Sequence, residues 1–368
     1  MIQPKVLQYP IPGNPTGGIL HIYGEPAPSQ DIILYCGGFP DGLGPISNLA
    51  ERLATRRDSG QDHGCYVGVT CFPGFDYMSF SEQKFSGYKK SGFTFDEVTC
   101  CVRDAADLLF QEHSNSMALP SSSGKHTTFT LMTHDWGAVI GHIFINRAIE
   151  EPSFTQHKPD RLVMLDVLMP PHPKSNYREM LKGHEIYKYT LRDNMLALSY
   201  RTAFAISFAA MQFVSETIGL VVMAILSTII FRILNLNPLL GVDDEHMKKC
   251  IKDPKHFLYM MYPYYQMFKE VFKGSGNVFE AATLPADLKE TPVLYIYGAE
   301  KNVMFHDYRS VALLEKEEKE GFSKSRVVRL DESGHWMYCQ KPENCENEIR
   351  KFLHSSGGVS SVNKQSRL

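Results

Sequence analysis

Short apolar runs alternate with amphipathic stretches along most of this chain. Gly18–Tyr23, Asp31–Cys36, Cys65–Cys71, Thr127–Thr133, Leu162–Asp166, Val293–Tyr297 and Arg326–Leu330 are rich in β-branched and aromatic residues, which predicts strands. Helical periodicity fills most intervals, most clearly at Ile46–Arg57 and Phe95–Glu112. Strands alternating with helices predict an α/β architecture, a mostly parallel sheet with helices on both faces. In such sheets ligands bind beyond the carboxyl ends of the strands.

The alternation breaks between Val167 and Glu290, where no clear strand is visible and Met, Tyr and Phe abound. This predicts a helical cap inserted into the core. The expected division is 1–166 for the first part of the core, 167–290 for the cap, 291–355 for the second part and 356–368 for a polar, flexible tail. Within the cap, Ile218–Phe231 is an unbroken apolar run of 14 residues. A spanning helix needs about 20. A single span here would also part Asp135 from His335, so a buried cap helix is the favoured reading and an apolar surface resting on a membrane the alternative.

At 368 residues, 43% of them apolar, the chain can bury a sizeable core. Its formal net charge of -3, with no basic block, argues against a nucleic-acid partner. The eight cysteines form no CxxC pairs, which suits reduced thiols and argues against a structural zinc site. The N-terminus lacks the basic and apolar regions of a secretory signal. The last residues, Ser366-Arg367-Leu368, are a conservative variant of the S-K-L peroxisomal address, which predicts an import receptor as partner and a peroxisome-type location, otherwise the cytoplasm.

The stretch FTLMTHDWGAVIGHIFI concentrates the chemistry. An apolar run, Phe129–Met132, ends abruptly, and Ala138, Ile140 and Ile143 then fall at helical spacing. Between them His134-Asp135-Trp136-Gly137 reads as a sharp turn with the Asp135 side chain forced outward at its apex. The bland alternative for a lone Asp there is a helix N-cap.

The five residues His134–Ala138 resemble the nucleophile elbow of the epoxide hydrolase and haloalkane dehalogenase branch of the α/β-hydrolases. Four further motifs resemble that branch in order along nearly the whole chain. They are YCGGFPDG at Tyr35–Gly42, FPGFDYMS at Phe72–Ser79, LDVLMP at Leu165–Pro170 and DESGHWMYCQKPE at Asp331–Glu343. The resemblance implies an α/β-hydrolase fold with an inserted helical cap, no metal or organic cofactor, and a small-molecule substrate plus water; the apolar cap suggests that this substrate is hydrophobic.

It also implies roles. Asp135 is the nucleophile, because a carboxylate at that apex points to attack on saturated carbon and a covalent ester. His335 is the base that activates water. The backbone N–H groups of Phe39 and Trp136 are the oxyanion donors, although the loop opens with Gly37-Gly38 where the family has His-Gly. The acid that orients His335 is commonly found after the strand ending at Tyr297-Gly298, where this chain has Glu300, Lys301 and Asn302. Some dehalogenases of this branch carry the acid instead at the place of Asp166, and LDVLMP resembles their pattern, so the resemblance favours Asp166 as the acid, with Glu300 the alternative.

Epoxide hydrolases use two cap tyrosines as donors to the epoxide oxygen. This cap holds eight, and the favoured pair combines Tyr187 or Tyr189 with one of Tyr262, Tyr264 or Tyr265. Trp136 is a further substrate contact. His134 is read as turn structure and His306 as surface. The runner-up activity is haloalkane dehalogenation, weakened because Phe39 has no side-chain donor where a halide-holding Asn is common. Arginines that suit a haloacid are also absent beside Asp135. A non-catalytic binding protein on the same fold is the reading from a different class.

Overall fold

The computed structural model of the chain describes residues 3–28, 30–56, 64–76, 89–116, 127–182, 191–230, 252–274, 281–301 and 305–356. The strands are β1 Lys5–Ile11, β2 Asn14–Tyr23, β3 Ile32–Cys36, β4 Tyr66–Thr70, β5 Phe129–His134, β6 Arg161–Leu165, β7 Val167–Leu168, β8 Val293–Gly298, β9 Phe305–His306 and β10 Arg326–Leu330. Eight of them form one sheet in the order β1-β2-β4-β3-β5-β6-β8-β10. The two contacts made by β2 are antiparallel and all others are parallel.

The central strands β3, β4, β5 and β6 are buried at every position. Helices cover both faces of a parallel sheet, so its strands read as continuous apolar runs rather than alternating ones. That is why these four were legible. The edge strand β1 was not foreseen, because four of its seven residues are exposed and Pro10 interrupts it. The two-residue pair β7–β9 is too short to carry a period, and β7 places a strand at the start of the region expected to hold none.

Among the helices are α1 Ser47–Ala54, α2 Phe95–Ser116 and α3 Trp136–Glu150. A capping box fixes the start of α2: Glu97 N donates to Thr94 Oγ1 and Thr94 N to Glu97 Oε2. This sets Phe95 against the Trp136 ring at 5.6 Å.

Further helices are α4 Leu191–Phe213, α5 Glu216–Thr228, α6 Pro254–Met260 and α7 Tyr262–Lys273, which lie together as a cap. The cap is tied to the core loops by polar contacts. His256 Nε2 lies 2.9 Å from the Gly74 carbonyl, Gln266 Nε2 donates to Ser91 O at 3.0 Å and Tyr262 Oη to Pro73 O at 3.3 Å.

The apolar run at Ile218–Phe231 departs from its expected burial. Its helix α5 packs through Gly219 and Met223, while Ile218, Val221, Ile225 and Ile229 are exposed. Those four recur on one side of the helix, so a single neighbouring layer covers only the opposite side. Among the described residues no helix is long and apolar enough to cross a membrane. Tyr187, Tyr189 and the terminal Ser366-Arg367-Leu368 lie outside the described residues.

Candidate active site

The carboxyl ends of five parallel strands supply the site. Strand β3 leads to Phe39, β5 to Asp135, β6 to Asp166, β8 to Lys301 and β10 to His335. Asp135 sits at φ 52, ψ -126 between β5 and α3, a conformation that non-glycine residues rarely adopt. Such backbone costs about 1–3 kcal/mol and persists only when its surroundings over-determine it. The Asp135 side chain makes no cap hydrogen bond to α3, which removes the N-cap reading.

Two glycines allow the turn. A Cβ on Gly137 would lie 2.1 Å from the Cys36 carbonyl oxygen, so only glycine lets α3 start this close to β3. A Cβ on Gly38 would lie 2.3 Å from Trp136 N and 2.6 Å from Asp135 Oδ1. The Gly37-Gly38 opening of the loop thus brings its backbone onto the carboxylate. Phe39 N donates to Asp135 Oδ1 at 2.8 Å.

His335 Nε2 stands 3.3 Å from Asp135 Oδ2, and its Nδ1 is hydrogen-bonded to Asp166 Oδ2. Asp166 is fully buried, with φ 65. Burial opposes its ionisation, but the Lys301 ammonium and His335 outweigh that and hold its carboxyl below the ordinary range. Burial likewise disfavours the imidazolium of His335, yet Asp166 and Asp135 raise its pKa to about 9. Glu300 is not brought here. It is exposed, and its amide donates to Ser333 O at 2.9 Å. Lys301, which the sequence marked only as a missing acid, contacts Asp166 Oδ1 directly.

A second buried network lies behind the first. Asp41 is fully buried. Its Oδ1 accepts from Trp336 Nε1 at 2.7 Å and its Oδ2 from Tyr338 Oη at 2.9 Å, while His134 Nδ1 stands 2.5 Å from Oδ2. His134 Nε2 is 3.0 Å from the His335 carbonyl oxygen. One carboxylate therefore joins the β3 loop, the elbow and the histidine loop. His134 fills the structural role assigned to it, and Trp336 gains one.

Replacing Asp41 with Ala strands several buried donors, and the expected loss of stability is about 3–5 kcal/mol, read from urea unfolding. Burial works against the Asp41 carboxylate, but His134 and Trp336 hold its pKa below the ordinary value. Its contribution is therefore fully present above the unfolded-state pKa and is lost as pH falls through the folded-state one. The gap between wild type and variant should narrow in acid.

The cap closes the site with aromatic side chains. The Tyr264 ring lies 5.2 Å from Trp136, 5.2 Å from Phe39 and 5.9 Å from Tyr200. Burial raises the pKa of the Tyr200 and Tyr264 hydroxyls, and the Asp135 charge adds to both. They stay protonated at neutral pH. Tyr262 and Tyr265 turn elsewhere: Tyr262 donates to Pro73 O and packs on Phe75 and Phe93, and Tyr265 packs on Phe208 and Phe213.

Tyr200, which is not in the favoured pair, is brought beside Tyr264. Its signal was the spacing of Tyr200, Phe204 and Phe208, one face of a helix. His306 is also not at the surface. It is buried in β9, with Nδ1 2.7 Å from the Tyr295 hydroxyl.

No known protein-family model matches the chain, and no curated protein matches it. Solved structures do. A haloalkane dehalogenase loop variant from Bradyrhizobium elkanii is 13% identical, with a TM-score of 0.56 over 97% of this chain and 99% of that one. An epoxide hydrolase from Vigna radiata is 14% identical, with a TM-score of 0.52 over 96% and 98%. An epoxide hydrolase of the α/β-hydrolase superfamily from hot-environment metagenomes gives 14% and 0.52, over 96% and 99%. At these identities the likeness concerns the fold.

Proposed function

We propose that this chain, which has the α/β-hydrolase fold with an inserted helical cap, is a hydrolase acting through an alkyl ester on Asp135, with a hydrophobic epoxide as substrate. The observation that carries the reading is the arrangement about one carboxylate. Asp135 Oδ1 faces the Phe39 N–H at 2.8 Å and Oδ2 faces His335 Nε2 at 3.3 Å. A cap N-terminal residue has no need of either partner.

In the first step Asp135 Oδ2 attacks an epoxide carbon. The ring C–O bond breaks, and Tyr264 or Tyr200 gives its proton to the ring oxygen. The ester leaves Oδ1 as carbonyl oxygen, next to the Phe39 N–H. In the second step His335 Nε2 takes a proton from water and the resulting hydroxide attacks the ester carbonyl carbon. The oxyanion on Oδ1 is met by the Phe39 N–H, which faces Oδ1 before the charge develops, with the Trp136 N–H as the second donor. Collapse expels the diol oxygen, which takes the proton from His335, and the carboxylic acid left on Asp135 gives its proton to the donor tyrosinate.

Ester formation also removes the negative charge of Asp135, one of the groups that hold the proton on His335. The imidazole is thereby released to act as base in the second step.

The tyrosines favour an epoxide over a halide. An opening epoxide needs a proton donor and a halide does not. Tyr264→Phe is expected to slow alkylation about 100-fold or more, leave ester hydrolysis unchanged, and lower turnover of alkyl halides little. Rapid-quench measurement of the two steps checks this. The reading as a whole is tested with a panel of epoxides, haloalkanes and activated esters, scored for diol, halide and acid. Diol release from hydrophobic epoxides supports it. Halide release alone moves the assignment to a dehalogenase, and binding without turnover to a non-catalytic protein.

A further inference from the structure

We propose that Lys301 is a positioning residue that acts on His335 through Asp166: by occupying one carboxylate oxygen it fixes the other toward the imidazole and limits how basic that imidazole becomes. The inference rests on the reading of His335 as the base. Its own support is geometric. The Lys301 side chain is 4% exposed and that of Asp166 is 0% exposed. Nζ stands 2.5 Å from Oδ1 and 3.5 Å from the Asp166 carbonyl oxygen. Gly298 N also donates to Oδ1, at 3.3 Å. Oδ2 is left for His335 Nδ1.

A lone buried lysine resists charging, and here burial does push its ammonium down while Asp166 supports it. Other groups also face the pair, among them His306, whose charged form burial and Lys301 disfavour. The Tyr295 hydroxyl donates to the Asp166 carbonyl and meets His306 Nδ1. The Tyr297 ring lies 6.0 Å from Nζ. On its far side His335 faces Asp135.

The charges can then be weighed. With Lys301 present, Asp166 is already neutralised on one side, and the imidazole sees one compensated and one free carboxylate. Without Lys301 it lies between two uncompensated carboxylates. Its protonated form gains, and the neutral form needed to activate water becomes scarcer at any given pH.

The test is a titration of the His335 ring by NMR in the resting full-length protein, for wild type, Lys301→Met, Lys301→Gln and Lys301→Arg. Loss of a unit charge at this range is expected to raise the His335 midpoint by about 1–2 pH units in the Met and Gln variants. Arg, which keeps the charge, should hold it near the wild-type value. Gln serves if Met fails to fold. A folded Met or Gln variant whose midpoint does not move overturns the proposal, as does an Arg variant that shifts as far as Met. In single-turnover assays the acid limb of ester hydrolysis should move by the same interval. The NMR result does not depend on turnover. Absent turnover with a shifted midpoint defeats the functional reading alone, and a trapped ester with an unmoved midpoint defeats the role of Lys301 alone.

Discussion

Asp135→Asn is expected to lower steady turnover more than about 1,000-fold while leaving the fold intact. Asn is the conservative choice for the backbone as well as for shape, because it tolerates positive φ better than most residues and Asp135 sits at φ 52. The amide keeps an oxygen for the Phe39 N–H but has lost the charge that attacks carbon. The measurement pairs initial rates with a thermal melt. Unchanged stability with lost activity places the defect in the chemistry. A variant retaining a tenth of wild-type turnover, with its amide verified by mass, would mean that water attacks the substrate directly.

His335→Gln should fail at the other step. Asp135 can still alkylate, since that step needs no base, but water is no longer activated to open the ester. The expected result is a stoichiometric burst followed by turnover slowed more than about 1,000-fold. Intact-protein mass spectrometry should find one substrate mass added per chain. A variant that neither turns over nor gains mass would assign His335 to the first step instead. In the wild-type protein the same logic gives a pH dependence. The resting imidazole has a pKa raised to about 9, and esterification of Asp135 withdraws part of the cause. Ester hydrolysis should therefore rise with pH along a limb whose midpoint lies below that of the resting enzyme.

The sequence carried the elbow and the histidine loop because each is a local pattern: a strand end, a forced turn and a named residue within a few positions. Asp166 is favoured in the sequence through the resemblance of LDVLMP, since neither Lys301 nor Asn302 can serve as a carboxylate at the commoner place. That local resemblance does not place the Lys301 ammonium on Asp166. That contact joins residues after two different strands, which neighbour each other only through the β6–β8 pairing. The Asp41 network was silent for the same reason. Its members, Asp41, His134, Trp336 and Tyr338, are drawn from three segments far apart in the chain.

The cap was harder to read for a different physical reason. The described tyrosines of α4, α6 and α7 differ in surroundings by the rotation of their helices, and composition does not contain that angle. Tyr264 and Tyr265 are adjacent in sequence, yet one ring meets Trp136 and the other Phe213. The exposed Ile218–Ile229 side of α5 is equally invisible in composition. An apolar helix is buried only as far as neighbours exist to bury it, and here they cover one side.

The central claim is that Asp135 itself becomes esterified, and heavy-oxygen water tests it most directly. After one turnover by enzyme in excess, the water oxygen should reside in the Asp135 carboxylate, because hydroxide attacks the ester carbonyl, and the diol should carry the epoxide oxygen and the old carboxylate oxygen, both unlabelled. After many turnovers both the peptide holding Asp135 and the diol should be labelled. Label that enters the diol in the first turnover and never appears in the Asp135 peptide would contradict the account.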